Sequence, residues 1–188
     1  MKKVDLVNRE QLFANINIGI HNINRLKDNH YKAQELIDLG IEMKYNIIGI
    51  VETNIKEIEG KFLRIDRKGY STFWSNAEKN KHKGSGVGIW IDSKWNEHLA
   101  SIQRPNAYSI RASFRFKKAI ITIWIIYIPP NNKEKANEVQ RVIMKDIMLK
   151  QKDEHFIIRG DFNKILNIET DRIGRSMSYK IKKLALII

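Results

Sequence analysis

The sequence predicts an α/β fold, and three observations carry that expectation. Short runs rich in Ile and Val, such as Ile47-Ile48-Gly49-Ile50-Val51, read as strands buried in a central sheet. Stretches with helical apolar spacing lie between such runs, so the two patterns alternate along the chain. The length of 188 residues suits one domain with a sizeable core, and 43% hydrophobic residues argue against disorder.

Taken in order, Ile16, Ile18 and Ile20 alternate with Asn17 and Gly19, which predicts a strand over Ile16 to Ile20. Ala33, Leu36 and Ile37 share a helical face over Tyr31 to Leu39, with Gly40 as the expected stop. Asn46 to Val51 is the next strand. The turn signal Lys83-Gly84-Ser85 introduces a strand over Gly86 to Ile91. Tyr108, Ile110, Ala112, Phe114 and Phe116 alternate with polar residues, as expected of a half-buried strand. Lys117-Lys118-Ala119 forms a hairpin loop to a longer strand over Ile120 to Ile128, closed by Pro129-Pro130. Ala136, Val139, Ile143 and Ile147 predict a helix from Asn132 to about Leu149, and Phe156-Ile157-Ile158 predicts another short buried strand. Trp74, Trp90, Trp95 and Trp124 read mostly as strand or core residues.

Lys and Arg number 34 against 21 Asp and Glu, a formal net charge of +13. That surplus favours a polyanion as partner. The chain has no cysteine, which excludes disulfides and thiolate metal sites. No stretch approaches the roughly 20 apolar residues that span a bilayer, and Asn8 to Gln11 interrupt any apolar signal core. The expectation is a soluble intracellular protein, nuclear or cytoplasmic, that does not engage a membrane.

Three buried strands end in polar residues: Glu52, Tyr127 and Asp161. In open α/β sheets ligands bind beyond the carboxyl ends of strands. Asn22 and Asn24 follow the first strand and Asn163 follows Asp161, so the set offers carboxylates and carboxamides. Oxygen donors of this kind suit a hard cation such as Mg²⁺, which keeps several waters and takes only one or two protein carboxylates. One carboxylate could instead orient or deprotonate an attacking water. Each residue also has a structural reading: Glu52 as a loop or cap residue, Asp161 in a turn, the asparagines as loop hydrogen-bonders, Tyr127 as a core aromatic with its hydroxyl at the rim. His21 and His155 read as structural or exposed.

Asn22-Ile23-Asn24, Ile50-Val51-Glu52-Thr53, Gly84-Ser85-Gly86-Val87-Gly88, Tyr127-Ile128-Pro129 and Gly160-Asp161-Phe162-Asn163 occur in one order. In that order they resemble the endonuclease/exonuclease/phosphatase (DNase I-like) superfamily. Gly160 to Asn163 followed by Asp171-Arg172 looks most like the endonuclease domains of non-LTR (LINE-type) retrotransposons. The resemblance implies a four-layered α/β sandwich and metal-dependent phosphodiester hydrolysis, with Mg²⁺ as cofactor and Mn²⁺ as a substitute. It implies Glu52 as the principal metal-binding carboxylate, Asn22 as support to the network and the metal, and Asp161 as the residue that orients or activates the attacking water. Asn163 is implied as a contact to the reacting phosphate and Tyr127 as a neighbour of it. Two departures stand out. Arg25 occupies the place of a Gly found in many relatives, where Gly supplies backbone freedom. The resemblance runs from about residue 16 to residue 172, and the family's later Ser-Asp-His motif is not found before Ile188. The chain therefore reads as one partial domain, residues 1–188, lacking the C-terminal part of the family domain.

The first expectation for function is a Mg²⁺-dependent nuclease of retroelement type acting on DNA, with RNA as a second candidate, and with weak or lost turnover for want of the Ser-Asp-His histidine. The alternative is a non-catalytic nucleic-acid-binding fragment. A phosphoinositide or sphingomyelin phosphodiesterase ranks third, since no membrane loop with exposed aromatics is evident. Lys79, Lys81, Lys83 and Arg104, from loops near the expected cleft, are candidate phosphate contacts, with a solvated loop as their plain alternative.

Overall fold

The computed structural model describes residues 16–26, 29, 31–63, 69–79, 84–117, 119–163 and 186–187. Two sheets face each other. The first contains β1 (Ile18–Asn22), β2 (Ile47–Val51), β3 (Tyr70–Trp74) and β4 (Val87–Asp92), in the order β1-β2-β4-β3. The second contains β5 (Leu99–Asn106), β6 (Ser109–Arg115), β7 (Ile120–Tyr127), β8 (Glu154–Asp161) and β9 (Leu186–Ile187), in chain order. Among the described strands, β1/β2 and β7/β8 pair in parallel and the other pairs are antiparallel. Each parallel pair needs a crossover, supplied by helix α1 (Tyr31–Glu42) in the first sheet and helix α3 (Lys133–Met148) in the second. A short helix α2 (Glu57–Lys61) follows β2, and a 3-10 turn (Ser93–His98) follows β4.

Alternation along the strands builds the layers. Ile47, Val51, Val87, Ile89 and Ile91 of the first sheet meet Ile110, Phe114, Ile123 and Ile125 of the second in one buried cluster. Ile48, Ile50 and Trp90 point the other way and pack under Ala33, Leu36 and Ile37 of α1. Val139 and Ile143 of α3 cover Trp124 and Phe156 on the far side of the second sheet. The result is helix, sheet, sheet, helix: the four layers expected. The α3 layer is also tied by polar bonds. Arg111 donates to Asp146 Oδ2 (2.7 Å) and Glu154 Oε1 (3.1 Å), and the Trp124 indole donates to the same Asp146 oxygen (3.0 Å). Arg111 and Glu154 are nearly buried and Asp146 is part-exposed, and both Glu154 oxygens have a donor, Oε1 from Arg111 and Oε2 from Gln151 N.

Several sequence boundaries move. The first strand runs Ile18–Asn22, so Asn22 closes the strand. Helix α1 continues past Gly40 to Glu42. Gly40 lies against the sheet, where a Cβ would stand 2.4 Å from Ile48 Cδ1, so it serves close packing and does not end the helix. Helix α3 begins as expected, with the Asn132 side chain accepting from Lys135 N (3.0 Å) as its cap. Strands β3, β5 and β9, helix α2 and the 3-10 turn had no sequence counterpart. All four tryptophans are core residues, none more than 1% exposed. Among the described residues no helix is long and apolar enough to cross a membrane.

Candidate active site

The two crossover units deliver their strand ends to one place. Asn22 closes β1, Glu52 follows β2, Tyr127 closes β7 and Asp161 closes β8. The Asn22 carboxamide joins the sheets: its Nδ2 donates to Glu52 Oε1 (2.7 Å) and to Asp161 Oδ2 (3.0 Å). Its Oδ1 accepts from the Asn24 backbone N–H (3.0 Å), which fixes the amide with its nitrogen toward the carboxylates.

Glu52 sits where the chain breaks out of β2. It adopts φ 57° and Asn54 φ 51°, both left-handed and unusual for these residues. The glycine-rich segment after residue 83 makes that turn possible. Gly86 O accepts from Thr53 N (3.1 Å) and Ser85 O accepts from Asn54 N (2.9 Å). A Cβ on Gly86, itself at φ 82°, would stand 2.3 Å from Thr53 Oγ1, so only glycine fits. Asp161 is held in a similar way. Its Oδ1 accepts from Asn163 N (3.0 Å), while Asn163 Nδ2 donates to Ile128 O (3.0 Å). A Cβ on Gly160 would stand 1.9 Å from Ile126 O, so the glycine of this motif lets β8 close on β7.

Tyr127 is buried and stacks on Tyr108, ring centroids 6.3 Å apart. Burial, then the Glu52 carboxylate and a hydrogen bond to it, then Asp161, push its hydroxyl far above the ordinary tyrosine value; a hydrogen bond from Asn163 acts against them. The phenol is therefore neutral. Beside it a cleft of about 370 Å³ opens between Glu52, Gly84 and Tyr127 and the segment Pro129 to Asn132.

The structure thus brings together Asn22, Glu52, Tyr127, Asp161 and Asn163. The groups seen bonding the two carboxylates are neutral: an amide, a backbone N–H and a phenol. Two carboxylates sharing one amide donor could hold a cation between them. Among the described residues no three Asp, Glu, His or Cys side chains converge to hold one, so a protein-only cage is not formed. An oxygen donor set of this size fits Mg²⁺ or Mn²⁺ with waters completing the shell.

The two predicted phosphate contacts among the described residues do not line the cleft. Lys79 is exposed on the loop after β3. Arg104 donates through Nε to Trp74 O (2.9 Å) and lies 3.5 Å from Glu57 Oε1, so it joins the edge strands β5 and β3. Lys81, Lys83 and the Asp171-Arg172 pair lie outside the described residues.

No protein-family model and no curated protein matches the chain. Solved structures do. A humanized TDP2 from D. rerio matches at TM-score 0.58 and 14% identity, over 81% of this chain and 64% of that one. An AP endonuclease from Archaeoglobus fulgidus matches at 0.53 and 18%, over 78% and 56%. The endonuclease domain of TRAS1, a telomere-specific non-LTR retrotransposon, matches at 0.54 and 19%, over 79% and 61%. The fold is DNase I-like. The chain spans less than two thirds of the length of each of these DNase I-like structures.

Within the DNase I-like sandwich, some site neighbours escaped the sequence reading. Asn131 and Asn132 line the cleft, and Asn54 Nδ2 donates to Glu52 O (3.0 Å). The signal for the first two was present, since they directly follow the strand end and the proline pair. Asn54 carries none, because its partner is a backbone carbonyl set by a left-handed turn.

Proposed function

We propose that this chain hydrolyses phosphodiester bonds of nucleic acid, DNA before RNA, with Mg²⁺ or Mn²⁺ bound at Glu52 and supported by Asn22. The observation that carries this reading is the Asn22 carboxamide shared by Glu52 and Asp161 beside an open cleft. A divalent cation bound there would supply charge stabilisation to the phosphate oxygens. The protein's own groups do the rest. Asp161, fixed by Asn163 N, accepts the proton of the attacking water as the water oxygen bonds to phosphorus and the bond to the leaving sugar oxygen breaks, that oxygen taking its proton from solvent in the cleft. The neutral Tyr127 hydroxyl, bonded to Glu52, would turn its one proton toward a phosphate oxygen once a cation took Glu52, and Asn163 holds that hydroxyl in place. DNA is favoured by the +13 charge and by fold neighbours that include a Neisseria 3′ phosphatase bound to a product DNA hairpin. The TRAS1 endonuclease domain supports the retroelement type.

Nicking of supercoiled plasmid with Mg²⁺ against EDTA tests the proposal. Metal-dependent nicking is expected in the wild-type chain, reduced by about two orders of magnitude or more in Glu52→Ala and in Asp161→Ala. The rate also reads the expectation of weak turnover. Nicking that survives both substitutions, or is insensitive to EDTA, would overturn the assignment. A folded chain that binds DNA and never cuts it would favour the non-catalytic binding module instead.

A further inference from the structure

The turn that follows Asn22 is held from behind by a lysine. Asn24 and Arg25 adopt φ 43° and 74°, two consecutive non-glycine residues in the left-handed region. Such conformations are costly and persist only where the surroundings over-determine them. The turn's N–H groups are directed at the chain beyond β2: Arg25 N donates to Glu52 O (2.8 Å) and Leu26 N to Thr53 O (2.9 Å). Its carbonyls converge elsewhere. Lys32 Nζ donates to Ile23 O (3.0 Å), Asn24 O (3.0 Å) and Arg25 O (3.3 Å), so one ammonium spends its three donors on three consecutive carbonyls.

Lys32 is also in the wrong place for its own helix. It is the second residue of α1, where the helix dipole favours anions, and that first turn holds no acidic residue. The clamp on the turn accounts for a cation there. The same turn presents the Asn24 N–H to Asn22 Oδ1, the bond that aims Asn22 Nδ2 at both carboxylates. We infer that Lys32 is a positioning residue: by clamping a left-handed turn made of two non-glycine residues, it fixes the carboxamide that joins Glu52 to Asp161. What Asn22 then does for a metal rests on the proposed function; the clamp does not.

The side-chain amide signal of Asn22 in a ¹⁵N correlation spectrum reads the position of that group without metal or substrate, and its loss in Asn22→Asp assigns it. In the wild-type chain the signal should lie away from free asparagine. In Lys32→Met it should move toward the free position while the core methyl spectrum is kept. Adding Arg25→Gly to Lys32→Met should return it at least halfway, because glycine adopts the turn unaided. Lys32→Arg, whose planar fork cannot meet three converging carbonyls, should give an intermediate shift and serves if Lys32→Met does not fold. An Asn22 signal unmoved in a folded Lys32→Met or Lys32→Arg chain would overturn the inference. So would Arg25→Gly restoring the melting temperature but not the signal, since that marks a merely structural lysine. Mn²⁺ titration should show affinity at least tenfold weaker in Lys32→Met. A wild-type chain that binds no Mn²⁺, with the Asn22 signal moving as described, would sink the proposed function and leave the clamp standing.

Discussion

At the scale of single residues, Tyr127 shows how packing sets chemistry. Its hydroxyl sits among burial and two carboxylates that all oppose ionisation, so the folded chain keeps the proton past the ordinary value of 10.0. Tyr70 behaves likewise: burial and Asp92 raise it, and its hydroxyl donates to Tyr45 O (2.6 Å). The linkage has a definite sign. Below pH 10 both states hold these protons and stability is complete. Above it the unfolded chain releases protons that the folded chain retains, so stability falls as pH rises. Ultraviolet titration should therefore show Tyr127 and Tyr70 ionising later than the other tyrosines of the six, and Tyr127→Phe should remove the latest of these ionisations. All six ionising along one ordinary curve before unfolding would contradict this. Glu52, Asp161 and Tyr127 were legible in the sequence because each ends an apolar strand run. Lys32 was not, because its partners are backbone carbonyls, which no residue type advertises.

At the scale of elements, legibility followed the regularity of burial. The fully buried β2 and the long β7 stood out as unbroken apolar runs. β5 did not, because its pairing with β6 shifts register between Leu99 and Ser101 and again between Gln103 and Asn106, which erases the two-residue period. Gly40 misled for the opposite reason: glycine at the end of a helical pattern usually stops the helix, yet here it buries a helix face against Ile48. Two other glycines set how closely elements approach. A Cβ on Gly49 would stand 2.5 Å from Ile20 Cδ1 and 2.7 Å from Ile125 Cδ1, both flexible side-chain ends. A Cβ on Gly160 would meet the Ile126 backbone at 1.9 Å, which no rotamer relieves. Gly49→Ala should cost about 1–3 kcal/mol, the usual range for overpacking, and Gly160→Ala should cost more. Urea unfolding of both variants checks the ranking; equal stabilities would show that β8 has slack against β7, against the geometry described.

At the scale of the whole molecule, the sequence carried the layers but not their contacts. The non-sequential order β1-β2-β4-β3 leaves no mark in periodicity, and the Asn22–Asp161 bond joins residues 139 apart. That bond exists because two crossover units, one in each sheet, end at the same pole, so the site is a property of the sandwich and of neither sheet alone. The charge of the molecule works on the same scale. A formal +13 acts on a polyanion through many weak contacts, each of which releases counterions. If about four to five phosphates are neutralised, log affinity for duplex DNA should fall with log salt at a slope of about −4, so each doubling of salt weakens binding about sixteenfold. Lys79→Glu should flatten that slope by about one unit, because its exposed ammonium is removed from the neutralising set. Fluorescence anisotropy of a labelled duplex across a salt series measures both. Binding that ignores salt would separate the charge of this chain from the proposed binding of nucleic acid, and a slope unchanged in Lys79→Glu would take Lys79 out of the contact.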